Sequence, residues 1–288
     1  MNYTDYPALY QSSDELSLSS QKAFFRTFFA HLILLLAAAV ISVINSPLPE
    51  LAIAQALVLL GALACSIYLF SVRPDRYWYA GRAVAESIKT LTWRFVSKAE
   101  PFDAHDDRVA CSHFRQTLKS IIEQNTDVAQ RLTTKLDGIQ ITDVMTAMRQ
   151  GAVEERKRLY TESRVTDQQR WYAKKSAHNK KMATRFFAVL IVTNTIAVIS
   201  AIAKVRFPST PYWPTDALVA LSASTLSWIQ AKRFSELSAS YALAAHEISL
   251  IKEQSASVET DDDLSQFVGD AENAFSREHT QWVARKDH

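Results

Sequence analysis

Glycine is scarce in this chain: there are five in 288 residues, at positions 61, 81, 138, 151 and 269. No two are close enough to form a phosphate-cradling loop, so Walker and dinucleotide-binding motifs are absent. Cysteine is scarcer still, with Cys65 and Cys111 alone. Two cysteines make no disulfide framework and suit a reducing compartment. His105, Asp106, Asp107, Cys111 and His113 are metal-capable types, but they lack the spacing of a zinc site and have no second cluster to complete one. A solvated polar loop entering a helix accounts for them. Without a metal site, a nucleophile motif or a phosphate loop, an enzymatic reading has no residue to stand on, and no cofactor is expected.

Charge is missing too, but only locally. Overall the chain is 48% apolar and 22% charged, the profile of an ordinary soluble protein, and its net charge of +2 says nothing about partners. Yet residues 27–44, 51–72 and 186–203 contain no Asp, Glu, Lys or Arg, and residues 215–229 contain only Asp216. Eighteen helical residues at ~1.5 Å each cover roughly 27 Å, close to the ~30 Å hydrocarbon thickness of a bilayer. Short intervening segments, 45–50 and 204–214, hold Pro47, Pro49, Pro208, Pro211 and Pro214 and pair the runs as two hairpins.

Core helices of a soluble all-α protein would also read as apolar runs, and the flanking cations decide against them. Lys22, Arg26, Arg73, Arg76, Arg82 and Lys89 flank the first hairpin, whose turn has no Lys or Arg. Arg170, Lys174, Lys175, Lys180, Lys181, Arg185, Lys232 and Arg233 flank the second, against Lys204 and Arg206 in its turn. This asymmetry predicts a multi-pass inner-membrane protein with both turns outside and both termini in the cytoplasm. The first 23 residues carry Asp5, Asp14 and Glu15 and no small-residue cleavage site, which predicts no removable signal peptide.

The expected fold is therefore all-α and integral to the membrane: two transmembrane hairpins, long cytoplasmic helical extensions and a C-terminal amphipathic helix. Residues 1–125 form the first two-span repeat, 126–150 a helical connector and 151–288 the second repeat. Ser12 with Glu15, and Thr166 with Gln169, have capping-box spacing and predict two helix starts. Residues 166–203 lack proline and glycine and predict one long helix; another leaves the second hairpin through Trp228 to about Glu253. Ala110, Phe114, Leu118 and Ile121 recur at helical spacing, Asp137-Gly138 marks a turn, and Val144 and Met148 continue in a further helix. Beyond the acidic loop 259–263, Leu264, Phe267, Val268, Ala271, Phe275 and Trp282 outline the amphipathic helix. Trp78, Arg82 and Glu86 after the first hairpin share their spacing with Trp228, Lys232 and Glu236, which suggests duplication.

Two sets of residues stand out as candidate sites. Thr193, Asn194 and Thr195 cover too wide an arc to share one helix face, and an asparagine amide near the midplane needs a partner or water. With Ser222, Ser224 and Thr225 at similar depth, the second hairpin supplies the pore-lining candidates Asn194, Thr195, Ser222 and Thr225. Helix packing through small residues, Ala220 with Ser224 or Ala223 with Ser227, is the competing account. Arg170, Lys174, His178, Lys181 and Arg185 form a basic stripe that suits either anionic lipid or a phosphate-bearing ligand. His31, near the inner end of its span, is accounted for by snorkelling.

The stretches Tyr160-x-x-x-Arg164-x-x-Asp167-Gln168-x-x-Trp171-Tyr172 and Arg76-x-Trp78-Tyr79-x-x-Arg82, continuing to Glu86, Lys89, Trp93 and Arg94, resemble the SLATT family of bacterial two-transmembrane effector domains. The resemblance covers about residues 8–125 and 140–285 as two tandem copies, with Arg277-Glu278-His279 before Trp282 closing the second. It implies a role in antiphage defence, in which a partner nucleotidyltransferase makes a nucleotide or oligonucleotide signal. The membrane protein responds, directly or through a partner, by permeabilising the membrane. The reading that follows is an effector forming a homo-oligomeric, signal-gated pore or ion channel that depolarises the membrane and arrests growth. The alternative is a non-conducting anchor or scaffold for soluble partners.

Overall fold

The structure, a computed structural model, describes residues 1–44 and 48–284, and of residues 277–284 the backbone alone. Among the described residues all regular structure is helical: α1 Ala8–Ile44, α2 Pro49–Val72, α3 Pro74–Val96, α4 Asp107–Gln124, α5 Thr126–Ala129, α6 Asp143–Gln150, α7 Val153–Tyr160, α8 Asp167–Arg206, α9 Thr215–Lys232, α10 Phe234–Gln254 and α11 Asp261–Ala284. Pro47 of the first expected turn lies outside the described residues, and Pro49 opens α2 where its missing N–H is not needed.

The chain forms two compact units, each assembled from separated segments. The first comprises residues 1–21, 75–175 and 240–288; the second comprises 22–74 and 176–239. The first has a continuous core in which Ile88, Trp93, Phe95, Phe102, Phe114, Met145, Tyr160, Val165, Leu264 and Val268 are sealed from solvent. Of the periodic positions read from the sequence, Ala110, Phe114 and Leu118 point α4 into this core, and α11 buries Leu264, Phe267, Val268, Ala271 and Phe275. Trp282 and the Arg277-Glu278-His279 run have side chains outside the described residues. Gly81 lets α3 approach α1 closely, because a Cβ there would stand 3.2 Å from both the Ser13 carbonyl oxygen and the Ser17 nitrogen.

The second unit is built the other way round. Leu57, Leu60, Ile67, Phe70, Ile199, Ile202 and Val205 are exposed, each by more than half its surface. Helical stretches Ala8–Ile44, Pro49–Val96 and Val153–Arg206 are long and apolar enough to cross a membrane by length and composition. Residues 215–229, expected as a fourth span, are helical within α9 but do not meet that standard, since Asp216, Gln230, Lys232 and five Ser or Thr dilute the apolar run. Polar bonds close each hairpin internally: His31 Nδ1 lies 3.0 Å from the Ala62 carbonyl oxygen, Gln55 Nε2 donates to the Ala38 carbonyl at 3.2 Å, and the Ser200 and Thr215 hydroxyls meet at 3.0 Å. His31 thus bonds across its hairpin instead of snorkelling. Lys232 Nζ sits 3.3 Å from the centre of the Phe25 ring, beside Trp228.

Four local expectations need correction. Helix α1 begins at Ala8, not at Ser12, because its first amides are satisfied from far along the chain: Ala8 N–H donates to the Ile139 carbonyl and Leu9 N–H to Gln140 Oε1. Ser12, inside the helix, donates instead to Ala8 and Thr134 carbonyls. Thr166 likewise caps nothing, since a helix already runs from Val153 and passes through a π-helical turn, Thr161–Thr166, into α8. The helix expected through Trp228 to Glu253 is broken at Arg233, whose φ of 50° is left-handed. Arg73 caps α2 with a φ of 48° in the same way, so each hairpin ends on an arginine followed at once by a new helix. Trp228 and Lys232 precede the break at Arg233, whereas Trp78, Arg82 and Glu86 follow the break at Arg73; the two triads are not equivalent positions.

Candidate functional site

Three arginines at the interior of the first unit organise its loops. Arg149 is 1% exposed; its Nη1 donates to the Phe95 and Phe102 carbonyls at 2.8 Å, Nη2 to Ala104 at 3.1 Å and Nε to Asp107 at 2.7 Å. It thereby satisfies the carbonyl end of α3 and the loop after it. Arg156 donates to the Ser97 carbonyl at 2.7 Å and the Gly151 carbonyl at 3.0 Å and pairs with Asp261.

Arg164 and Glu272 form the third centre, with both side chains sealed from solvent. The guanidinium meets the carboxylate in a two-pronged bond, Nε to Oε1 at 2.8 Å and Nη2 to Oε2 at 2.7 Å. Tyr160 donates to Oε1 at 3.0 Å and Thr90 to Oε2 at 2.8 Å, so the carboxylate accepts four bonds from three residues on two separate segments. Arg164 Nη1 has no hydrogen-bond partner among the described residues, and the guanidinium carbon lies 4.8 Å from the centre of the Phe275 ring. Burial disfavours the charge on Arg164, but Glu272 outweighs it and holds the group protonated. Burial, then Glu272, pushes the Tyr160 phenol up. Tyr6, which accepts a 3.0 Å bond from Trp93 Nε1, is pushed up to about 12 by burial, with Arg164 and Trp93 opposing.

The π-helical turn explains how one helix delivers these groups. In a 3.6-residue helix, positions spaced by four drift steadily round the axis; the wider π turn reverses that drift. Arg156, Tyr160, Arg164 and Tyr172 consequently all stay buried.

Of the family-pattern residues, Arg164 bonds within this centre and Trp93 packs against Tyr160 beside it. Trp93, Arg164 and Tyr172 are core, and Trp171 joins Tyr172 and Tyr241 in an aromatic cluster. Arg82 bridges Glu86 at 2.6 Å and Asp14 at 3.7 Å, and Trp78 stacks on Tyr79. Asp167 and Gln168 stand in the first turn of α8, Asp167 in solvent. Glu272, Arg149 and Arg156 were missed in the sequence. A signal existed for Glu272, which sits on the apolar stripe of α11 between Val268 and Phe275 at helical spacing.

The pore candidates separate in the second unit. Thr193 is buried and Asn194 and Thr195 face outward, while Ser222 and Thr225 of α9 are buried. Thr193, Thr195 and Thr225 return their hydroxyls to carbonyls four residues earlier at 2.8 to 2.9 Å. Ser222 Oγ is buried without a hydrogen-bond partner among the described residues. Arg170 and Lys174 in the first unit, and His178, Lys181 and Arg185 in the second, are exposed on α8, and none pairs with a carboxylate among the described residues.

A chain whose regular structure is all helical among the described residues, with three stretches long and apolar enough to cross a bilayer by length and composition, has the make-up of a membrane protein. Comparison with known families narrows this. Residues 7–157 match the SMODS and SLOG-associating 2TM effector domain 3, and residues 160–282 match the SMODS and SLOG-associating 2TM effector domain 1. The chain belongs to this family of effector domains and carries two of them in tandem. No curated protein and no solved structure matches it. The Arg164–Glu272 centre lies in the second matched segment, and Thr90, which completes it, in the first.

Proposed function

We propose that the chain is the membrane effector of a bacterial antiphage defence system, an oligomeric pore opened by a nucleotide or oligonucleotide signal that a partner nucleotidyltransferase supplies. Residues 1–125 and 151–288 act as two-span domains joined by the connector 126–150. They give four passes through the inner membrane, with both termini in the cytoplasm. Opening depolarises the membrane and arrests growth.

The observation that carries this reading is Asn194. Its carboxamide stands on the outward face of an apolar helix, with no hydrogen bond inside the subunit among the described residues. Hydrocarbon offers no partner for an amide, so this face meets water or another subunit. Thr195 extends the same surface, whereas Ser222 and Thr225 keep the polar side of α9 against protein, which is how a less apolar helix serves as the fourth span. Four helices enclose too little space for water, so several subunits surround the path. His178, Lys181 and Arg185 attract anionic headgroups, about 1 kcal/mol each. Arg170 and Lys174 suit a phosphate-bearing ligand.

Ion flux from liposomes and a potential-sensitive dye in bacteria test the proposal together. Wild type releases trapped ions and depolarises cells when the signal is present. Asn194→Leu lowers flux at least about tenfold with stability unchanged within about 0.5 kcal/mol, because the side chain is exposed and makes no hydrogen bond among the described residues. Retention of ions under every signal condition would refute the pore and leave the scaffold reading.

A further inference from the structure

The first unit carries two apolar features with exposed leucines, and their charges are opposite. One is a groove of about 560 Å³ between α4, the start of α1 and the loop 132–140. Leu118, Ile122, Leu132 and Leu136 give it an aliphatic floor, and Leu136 is 76% exposed. Arg115, Lys119 and Lys135 stand around it with Glu123 as the one carboxylate of the lining. Arg115 has no ion pair among the described residues; Lys135 reaches Glu15 at 2.9 Å, and Lys119 is held only loosely by Glu123 at 3.6 Å.

The other feature is a face of α10. Leu243 and Leu250 are 61% and 66% exposed, seven residues apart and hence on one side of the helix about 10 Å apart. Glu247 lies between them, with Glu253 beyond, and neither carboxylate has an ion-pair partner among the described residues. Both leucines belong to the first unit, so the outward-facing apolar surface of the second unit does not include them.

We propose that the α4 groove of one copy receives the α10 face of a second copy. Two leucines at positions i and i+7, flanked by carboxylates, are the pattern an amphipathic helix uses to enter an apolar groove with a cationic rim. Leu243 and Leu250 fill the floor; Glu247 and Glu253 meet Arg115 and Lys119. Because groove and helix face are different surfaces of the same chain, the contact is head-to-tail and propagates until it closes as a ring. The inference rests on the oligomeric reading above and names the interface that builds it.

Site-directed crosslinking of the full chain in detergent tests this. In a Cys65→Ala, Cys111→Ala background, one tagged population carries Leu250→Cys and a differently tagged one Ile122→Cys. Oxidation of the mixture gives a disulfide-linked dimer containing both tags, and either population alone stays uncrosslinked. Like-with-like crosslinking, or none while native mass measurement shows an oligomer, overturns the interface and leaves the pore reading standing. A monomeric native mass overturns both. Charge exchange gives an independent check: Glu247→Lys weakens assembly about tenfold or more, and adding Arg115→Glu to the same chain restores it. Restoration excludes misfolding as the cause, and an unchanged oligomer in the single variant overturns the assignment.

Discussion

The two compact units treat polar side chains in opposite ways. In the first, arginines and carboxylates go inward and meet partners from distant segments, as Arg164 meets Glu272 across 108 positions of sequence. In the second, threonine hydroxyls fold back on their own helix, bonds such as Gln55 to the Ala38 carbonyl join the helices of a hairpin, and large aliphatic side chains face out. Water makes the first arrangement favourable by driving apolar groups inside, and an interior ion pair is tolerated when every partner is in place. Hydrocarbon makes the second favourable: leucine gains nothing by hiding, and each polar group has to be closed locally.

That contrast breaks most visibly at Glu272. Glu272→Ala strands a buried guanidinium, a phenol and a threonine hydroxyl, and the expected loss is about 3–5 kcal/mol in chemical or thermal unfolding of the detergent-solubilised protein. A loss under about 1 kcal/mol would show that the interior pair does not hold the first unit together. Arg164→Met with Glu272→Leu, which removes both charges, costs less than Glu272→Ala alone.

Alkaline pH probes the same core next. The Tyr6 phenol is raised by burial from an ordinary value of 10.0 to about 12, and burial raises Tyr10 and Tyr160 as well. A raised folded value means the folded state holds its proton more tightly than the unfolded state. The contribution, about 3 kcal/mol for Tyr6, is fully present below pH 10 and is lost as pH rises through 12. Tyrosinate absorbance and loss of helical circular dichroism should therefore rise together; tyrosinate appearing first in a folded protein would show that the core admits water.

The effects expected in the second unit are smaller and opposite in sign. Arg73→Gly relieves a left-handed residue at the end of α2 and stabilises by about 1 kcal/mol. Ser222→Ala removes a buried hydroxyl that has no partner and stabilises by roughly 0.5–1 kcal/mol. Destabilisation by more than about 1 kcal/mol at Ser222 would place that hydroxyl in the same class as the first unit's buried polar groups.

Much of the helical framework was legible because hydropathy and periodicity are local. The apolar runs, the core face of α4 and the turn at Asp137-Gly138 are read from neighbours a few residues apart. Helix starts were misread where the cap comes from elsewhere: nothing near Ser12 reveals that Ile139 and Gln140 satisfy the amides of α1. The arc argument for residues 193–195 held only that they cannot all be hidden in one seam; which of them lies buried was not legible. The basic stripe of α8 was legible as spacing, and its lack of partners was not.

By itself the sequence determined the number and length of the apolar runs, the family to which the chain belongs and the residue types of its pattern, since each depends on order along the chain alone. Only the tertiary structure decided that Thr90, Tyr160 and Arg164 surround Glu272, that a π turn following Tyr160 carries Arg164, and that Asn194 is exposed. The physical reason is that a buried charge selects its partner by three-dimensional proximity and a side chain's solvent depends on what covers it, and neither is encoded at a fixed spacing.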